Sequence, residues 1–124
     1  MSPDHACCSP GSDIHADEPV WEPLLDAVGD HLAGLFMWMY ETRLANGTVV
    51  HAYKHQVTRA YLFLDDEGQA YEYTACRAYS PKRLDYAIEA ALCFWFISGQ
   101  MEPEDAEAIK VAHARANERS SRLP

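Results

Sequence analysis

From Trp21 to Leu35 the apolar positions Trp21, Leu24, Leu25, Val28, Leu32 and Leu35 recur at helical spacing and fall on one face. Pro23 suits the first turn, Glu22 and Asp26 complement its positive end, and Gly34 is a natural stop. This predicts a first helix. Before it, residues 1–19 mix Pro3, Ser9, Pro10, Gly11, Ser12 and Pro19 with scattered acids and show no apolar period. That composition predicts an acidic, disordered N-terminal arm, with the folded domain covering 20–119.

After Gly34 the pattern changes to that of strands. Leu35–Leu44 and Thr48–Val57 flank Asn46-Gly47, a strong short hairpin signal. A two-residue turn there pairs Ala45 with Thr48. One face then carries Leu44/Val49, Thr42/His51, Tyr40/Tyr53, Trp38/His55 and Phe36/Val57. The other carries Arg43/Val50, Glu41/Ala52, Met39/Lys54 and Met37/Gln56, with Glu41 and Lys54 placed for a surface ion pair. Thr58–Leu64 and Gln69–Thr74 read as two further strands joined by Asp65-Asp66-Glu67-Gly68, with Gly68 in the left-handed position. A three-residue loop puts Tyr61, Phe63, Tyr71 and Tyr73 on one side, and Leu62, Leu64, Ala70 and Glu72 on the other.

Ser80-Pro81 has the form of a helix cap followed by proline at the first helical position, which predicts a helix from there to about Ser98. Leu84, Ile88, Ala91 and Trp95 form its stripe, and Ala90–Ile97 is apolar all round. Pro103-Glu104-Asp105 opens a last helix with a thin side of Ala106, Ile109, Ala112 and Ala116, suited to close packing on the preceding helix. Residues 120–124 should fray. The order α-β-β-β-β-α-α predicts an α+β domain: a four-stranded antiparallel meander with one N-terminal and two C-terminal helices on one face.

The chain has 124 residues, one domain's worth, and 48% hydrophobic residues, enough for a core. Its apolar runs fall well short of the roughly 20 residues a membrane span needs. Nineteen acidic residues against ten basic ones give a net charge of −9. The imbalance sits at the front, where residues 1–34 hold seven acids and no Lys or Arg. Such a chain is repelled by phosphate backbones and anionic bilayers, so direct nucleic-acid or membrane binding is not expected; the charge permits a basic protein partner, with solubility as its simpler role.

Cys7, Cys8, Cys76 and Cys93 follow no secretory leader, which predicts reduced thiols and a cytoplasmic location. Asp4, His5, Cys7, Cys8, His15 and Asp17 are of zinc-ligand type but lack ligand spacing, so no metal or other cofactor is expected.

The chemistry-bearing segment is His51-Ala52-Tyr53-Lys54-His55. Strand alternation puts His51, Tyr53 and His55 on one side, and the hairpin register adds Trp38 and Tyr40. These five are the candidate ligand-binding residues, as rings that stack on a planar molecule and imidazoles that titrate near neutral pH. The two histidines stand about 13 Å apart along the strand, too far to share a metal ion. Burial under helices, with each polar atom hydrogen-bonded, is the competing reading of that face. Arg77, Lys82 and Arg83 cluster by the expected helix start and are the candidate anion-binding residues. Motifs for nucleophilic, nucleotide-dependent or zinc-dependent catalysis do not occur, so the chain leans away from enzymes.

Phe36-Met37-Trp38-Met39-Tyr40-Glu41, His51-Ala52-Tyr53-Lys54-His55 and the stretch from Thr58 to Tyr73 resemble short uncharacterised proteins of high-GC actinobacteria and their mobile elements. The resemblance implies no activity and transfers no site residue. The residues favour a small intracellular interaction or regulatory module, then a small-molecule binder or enzyme using the His/Tyr/Trp face. Self-association as a homo-oligomer ranks third.

Overall fold

The computed structural model describes residues 11–14, 19–75, 78–99 and 101–121, without the side chains of 11–14, 94, 96, 97, 120 and 121. The elements are β1 (Gly11–Ile14), α1 (Glu22–Ala33), β2 (Phe36–Leu44), β3 (Val49–His55), β4 (Tyr61–Asp65), β5 (Ala70–Tyr73), β6 (Tyr79–Lys82), α2 (Leu84–Ser98) and α3 (Pro103–Ser121). Neighbouring strands pair in chain order, all antiparallel, in one sheet. The α+β class and the antiparallel meander are as the pattern predicts.

The strand count differs from the expected four. Five strands run from Phe36 to Lys82, and Gly11–Ile14 adds a short sixth along β2. That segment lies within the expected disordered arm; the other arm residues up to 18 fall outside the described residues. The fifth strand of the main block is β6, where Ser80-Pro81 pairs with Glu72 and Tyr71 instead of opening a helix. A proline is tolerated because β6 is an edge strand. Helix α2 starts three residues later, after Arg83 in extended conformation (ψ 137°). α3 runs on to Ser121, into the stretch expected to fray.

The β2–β3 register also differs. Leu44 N–H bonds to the Thr48 carbonyl and Gly47 N–H to the Leu44 carbonyl, so the loop has three residues, Ala45, Asn46 and Gly47. Gly47 takes φ 91°, as a type I turn closing with a left-handed glycine requires. Asn46 Oδ1 accepts from Thr48 N–H at 2.9 Å and holds the corner. The extra residue moves every pairing by one: Thr42 faces Val50, and Glu41 faces His51. A bulge at Met39 then shifts the pairing by one residue more, two in all from the expected register, so Trp38 faces Tyr53 and Phe36 faces His55. Glu41 and Lys54 lie on opposite faces, and the expected ion pair is replaced by Lys54 Nζ over the Tyr61 ring at 5.7 Å.

The β4–β5 corner is the one expected. Asp65 pairs with Gln69 around a three-residue loop, Gly68 has φ 87°, and Phe63 faces Tyr71. Asp65 fixes this loop by accepting from Glu67 N–H and Gln69 N–H with Oδ1 and from the Tyr71 hydroxyl with Oδ2.

Helices cover one side of the sheet. Phe36, Tyr53, Leu62, Leu64 and Ala70 from that side join Leu24, Val28 and Leu32 of α1, Ile88, Leu92 and Trp95 of α2, and Ile109, Ala112 and Ala116 of α3 in one core. The small residues of α3 let it approach both α1 and α2. The opposite side forms its own cluster of Leu44, Val50, Ala52, Phe63 and Tyr79, with Tyr40, Tyr61 and Tyr71 against it. This second cluster draws only on strand residues among those described.

Candidate functional site

Four of the five candidate ligand residues share the covered face: Trp38, His51, Tyr53 and His55. Tyr40 is on the other face, paired with Ala52, because the Met39 bulge separates it from Trp38 by an odd step. The predicted aromatic floor therefore lies beneath the helices, with His55 and Tyr53 at 0% exposure and His51 at 2%.

Each of the three β3 side chains is anchored at one end. His51 Nε2 meets Asp66 Oδ1 of the β4–β5 loop at 2.8 Å. Since a carboxylate only accepts, this imidazole donates through Nε2. The Tyr53 hydroxyl donates to the Val20 carbonyl, and its ring packs 5.9 Å from Trp21. Burial foremost, and then the Asp66 and Glu22 carboxylates, push that phenol far above its ordinary pKa. His55 lies 5.0 Å from Phe36 and 4.9 Å from Trp95, ring centre to ring centre. Its Nδ1 accepts from the Val57 and Thr58 amides, both at 3.2 Å, which puts the ring proton on Nε2. Burial lowers the His55 pKa, partly offset by the Asp105 carboxylate.

Asp105 was not a candidate from the sequence. At the start of α3 its Oδ1 takes His31 Nε2 at 2.6 Å and its Oδ2 takes the Glu102 amide at 3.1 Å. The His31 bond is the main reason that this carboxyl is held below its usual range. A local signal for Asp105 existed, since Pro-Glu-Asp is a common helix opening; its partner 74 residues away had none.

Two of the three anion candidates, Lys82 and Arg83, are paired with carboxylates. Arg83 donates to Asp85 Oδ1 from Nε at 3.1 Å and to Oδ2 from Nη2 at 2.8 Å. Lys82 Nζ lies 3.9 Å from Glu72. Arg77 is outside the described residues, as are Cys7, Cys8 and Cys76; Cys93 is a free thiol. Asp85, 1% exposed, also accepts from Asn117 Nδ2 and from the Tyr86 amide. Burial alone would raise its pKa, but these bonds hold it below the ordinary carboxylate value. The negative charge at the α2 N-terminus is thus built in.

Chemically, the covered layer offers neutral imidazole and indole N–H groups between aromatic walls. The proton-accepting atom of His55 is occupied by two amides, which removes it as a general base. Among the described residues no three His, Cys, Asp or Glu side chains stand together as a metal site, and no helix is long and apolar enough to cross a membrane.

The uncovered face has a different character. Tyr40 on β2 and Tyr61 on β4 are two strands apart, roughly 10 Å by backbone spacing, yet their ring centres are 6.4 Å apart. The rings therefore lean together over Ala52 on β3, which explains its 0% exposure. Phe63 and Tyr79 likewise close to 5.3 Å across β5, and Tyr61 stacks on Phe63 at 5.6 Å. Tyr73, against Tyr79 at 5.1 Å, remains 53% exposed. Comparison with protein-family models, with curated proteins and with solved structures finds no match.

Proposed function

We propose that this protein is an interaction module whose docking surface is the tyrosine face of the sheet. The carrying observation is the second apolar cluster, built from strand residues with Tyr40, Tyr61, Tyr71 and Tyr73 at its surface. Tyrosine supplies large contact area at small entropic cost, and contiguous exposed aromatic patches mark binding surfaces. The favoured partner is a protein with an apolar patch rimmed by Lys or Arg. A net charge of −9 opposes stacking of two copies, and the acid-only segment 1–34 contributes β1 to the same sheet.

Peptides selected from a random library on the immobilised full chain test this. They should be enriched in Lys and Arg beside aliphatic residues, and should shift backbone NMR signals of β2 to β6 around Tyr40, Tyr61 and Tyr73. Tyr61→Arg with Tyr73→Arg should weaken binding by about 2 kcal/mol, the scale of a lost aromatic anchor. Melting temperature should barely move for Tyr73→Arg alone. Peptides that map to the helical side, or bind both variants unchanged, overturn the reading.

A further inference from the structure

Buried polar atoms in this fold are bonded with care. Asp65 holds three donors, Asp85 holds four, and the Tyr53 hydroxyl finds the Val20 carbonyl. Against that background, three buried side-chain nitrogens have no hydrogen-bond partner: Trp38 Nε1, His51 Nδ1 and His55 Nε2. They are not scattered. All lie on the covered face around Tyr53, with Trp38 its cross-strand partner and the histidines two residues to either side. A buried donor left unbonded costs more than a typical bond contributes, so each such atom calls for an explanation.

His51 is separated from His55 by four strand rises, so no small group reaches both. Trp38 and His55 are diagonal neighbours across β2 and β3, within about 8 Å by backbone. Both are donors. An indole Nε1 only donates, and the His55 proton is fixed on Nε2 by the two amides at Nδ1. Two unbonded N–H donors at diagonal positions of one apolar layer match one oxygen acceptor. That oxygen is neutral, because an unpaired charge is costly to bury in an apolar layer. Phe36 and Trp95 pack their rings against His55 itself, so the surroundings of its donor are aromatic and apolar. Access is at Trp38, which is partly exposed although its Nε1 is buried.

We infer that Trp38 Nε1–H and His55 Nε2–H together bind the carbonyl oxygen of a small, flat, neutral molecule in the layer between the sheet and the helices. The site is on the opposite side of the sheet from the tyrosine surface and is independent of it.

Benzamide is a suitable probe, with benzoate as its anionic counterpart. Titrated into full-length protein labelled with nitrogen-15, benzamide should move the Trp38 Nε1–H and His55 Nε2–H signals downfield together. Benzoate should bind at least roughly tenfold more weakly. Trp38→Phe keeps the ring without its donor; His55→Asn keeps an acceptor near Nδ1 without the second donor. Each should weaken benzamide roughly tenfold, as loss of one hydrogen bond does, with the fold intact by circular dichroism. Equal or tighter binding of benzoate overturns the inference. So does the absence of any benzamide effect on these two signals at millimolar concentration, with a long-lived water giving cross-relaxation to both protons; the pair is then a structural water site.

Discussion

His55 shows how one buried side chain ties local geometry to pH behaviour. Its Nδ1 holds the turn at Val57 and Thr58, and Thr58 Oγ1 in turn bonds the Ala91 carbonyl of α2 at 2.8 Å. The ring must be neutral to accept both amides, and burial favours that state. The unfolded chain takes up a proton near the ordinary histidine value of 6.5, whereas the native ring does so only at lower pH. Stability is therefore full above that value and falls as pH drops from 6.5 toward the native pKa. His55→Asn, whose Oδ1 can take over the Nδ1 acceptor, should flatten this part of the acid limb in denaturant titrations at stepped pH. The smaller side chain should also lower stability at neutral pH by about 1–3 kcal/mol through the space it leaves. Asp85 is the second such residue. Asp85→Ala removes one acceptor from Asn117 and the acceptors of the Arg83 guanidinium, but Arg83 is 46% exposed on its side chain and can rehydrate. The expected loss is about 2 kcal/mol by chemical denaturation, below that of a fully buried pair.

At the scale of elements, the two hairpin corners carry the register of the sheet. Gly47 and Gly68 both sit at positive φ, 91° and 87°. Alanine at either position should cost about 1–2 kcal/mol from the left-handed backbone alone. A Cβ on Gly68 would also come 2.7 Å from the Arg119 guanidinium, the movable end of a long side chain, so the two losses should be similar. Matched denaturation curves for Gly47→Ala and Gly68→Ala check this. The corners also show what a sequence can reveal. Asp65-Asp66-Glu67-Gly68 has one glycine in one workable place, and the faces of Tyr61, Phe63, Tyr71 and Tyr73 follow correctly from it. Asn46-Gly47 fits a two-residue turn and a three-residue one equally well, and one residue inverts every side chain on β2 relative to β3. The Met39 bulge inverts part of it again and has no local signature. Trp38, His51, Tyr53 and His55 could be grouped from β-strand period, while Tyr40 could not be excluded without the bulge. Ser80-Pro81 suits a helix start and an edge strand alike; only pairing with β5 decides.

The whole molecule is a sheet with two unlike sides, and its titratable groups confine stability from both ends of the pH scale. On the acid side, the pKa values of Asp85 and Asp105 are lowered by their bonds, so their contributions are present above the ordinary carboxylate value of 3.8 and are lost as pH falls through the native values. His55 acts earlier, below 6.5. On the alkaline side the signs reverse. Burial foremost raises Tyr53, and burial with the bond to Asp65 pushes Tyr71 up to about 12. Both phenols are held neutral in the native state while the unfolded chain ionises near 10.0. Their contributions are full below that value and are lost as pH rises from it through the native values, about 12 for Tyr71. Melting temperature should accordingly show a plateau between about pH 7 and pH 9.5, with separate limbs on each side. Tyr71→Phe discriminates between the two sides of the sheet. It removes the hydroxyl that Asp65 accepts, costing about 1 kcal/mol at neutral pH, and should soften the alkaline limb while leaving the acid limb in place. An alkaline limb unchanged in Tyr71→Phe would assign that loss to Tyr53 beneath the helices, and would separate the tyrosine face from the forces that hold the fold together.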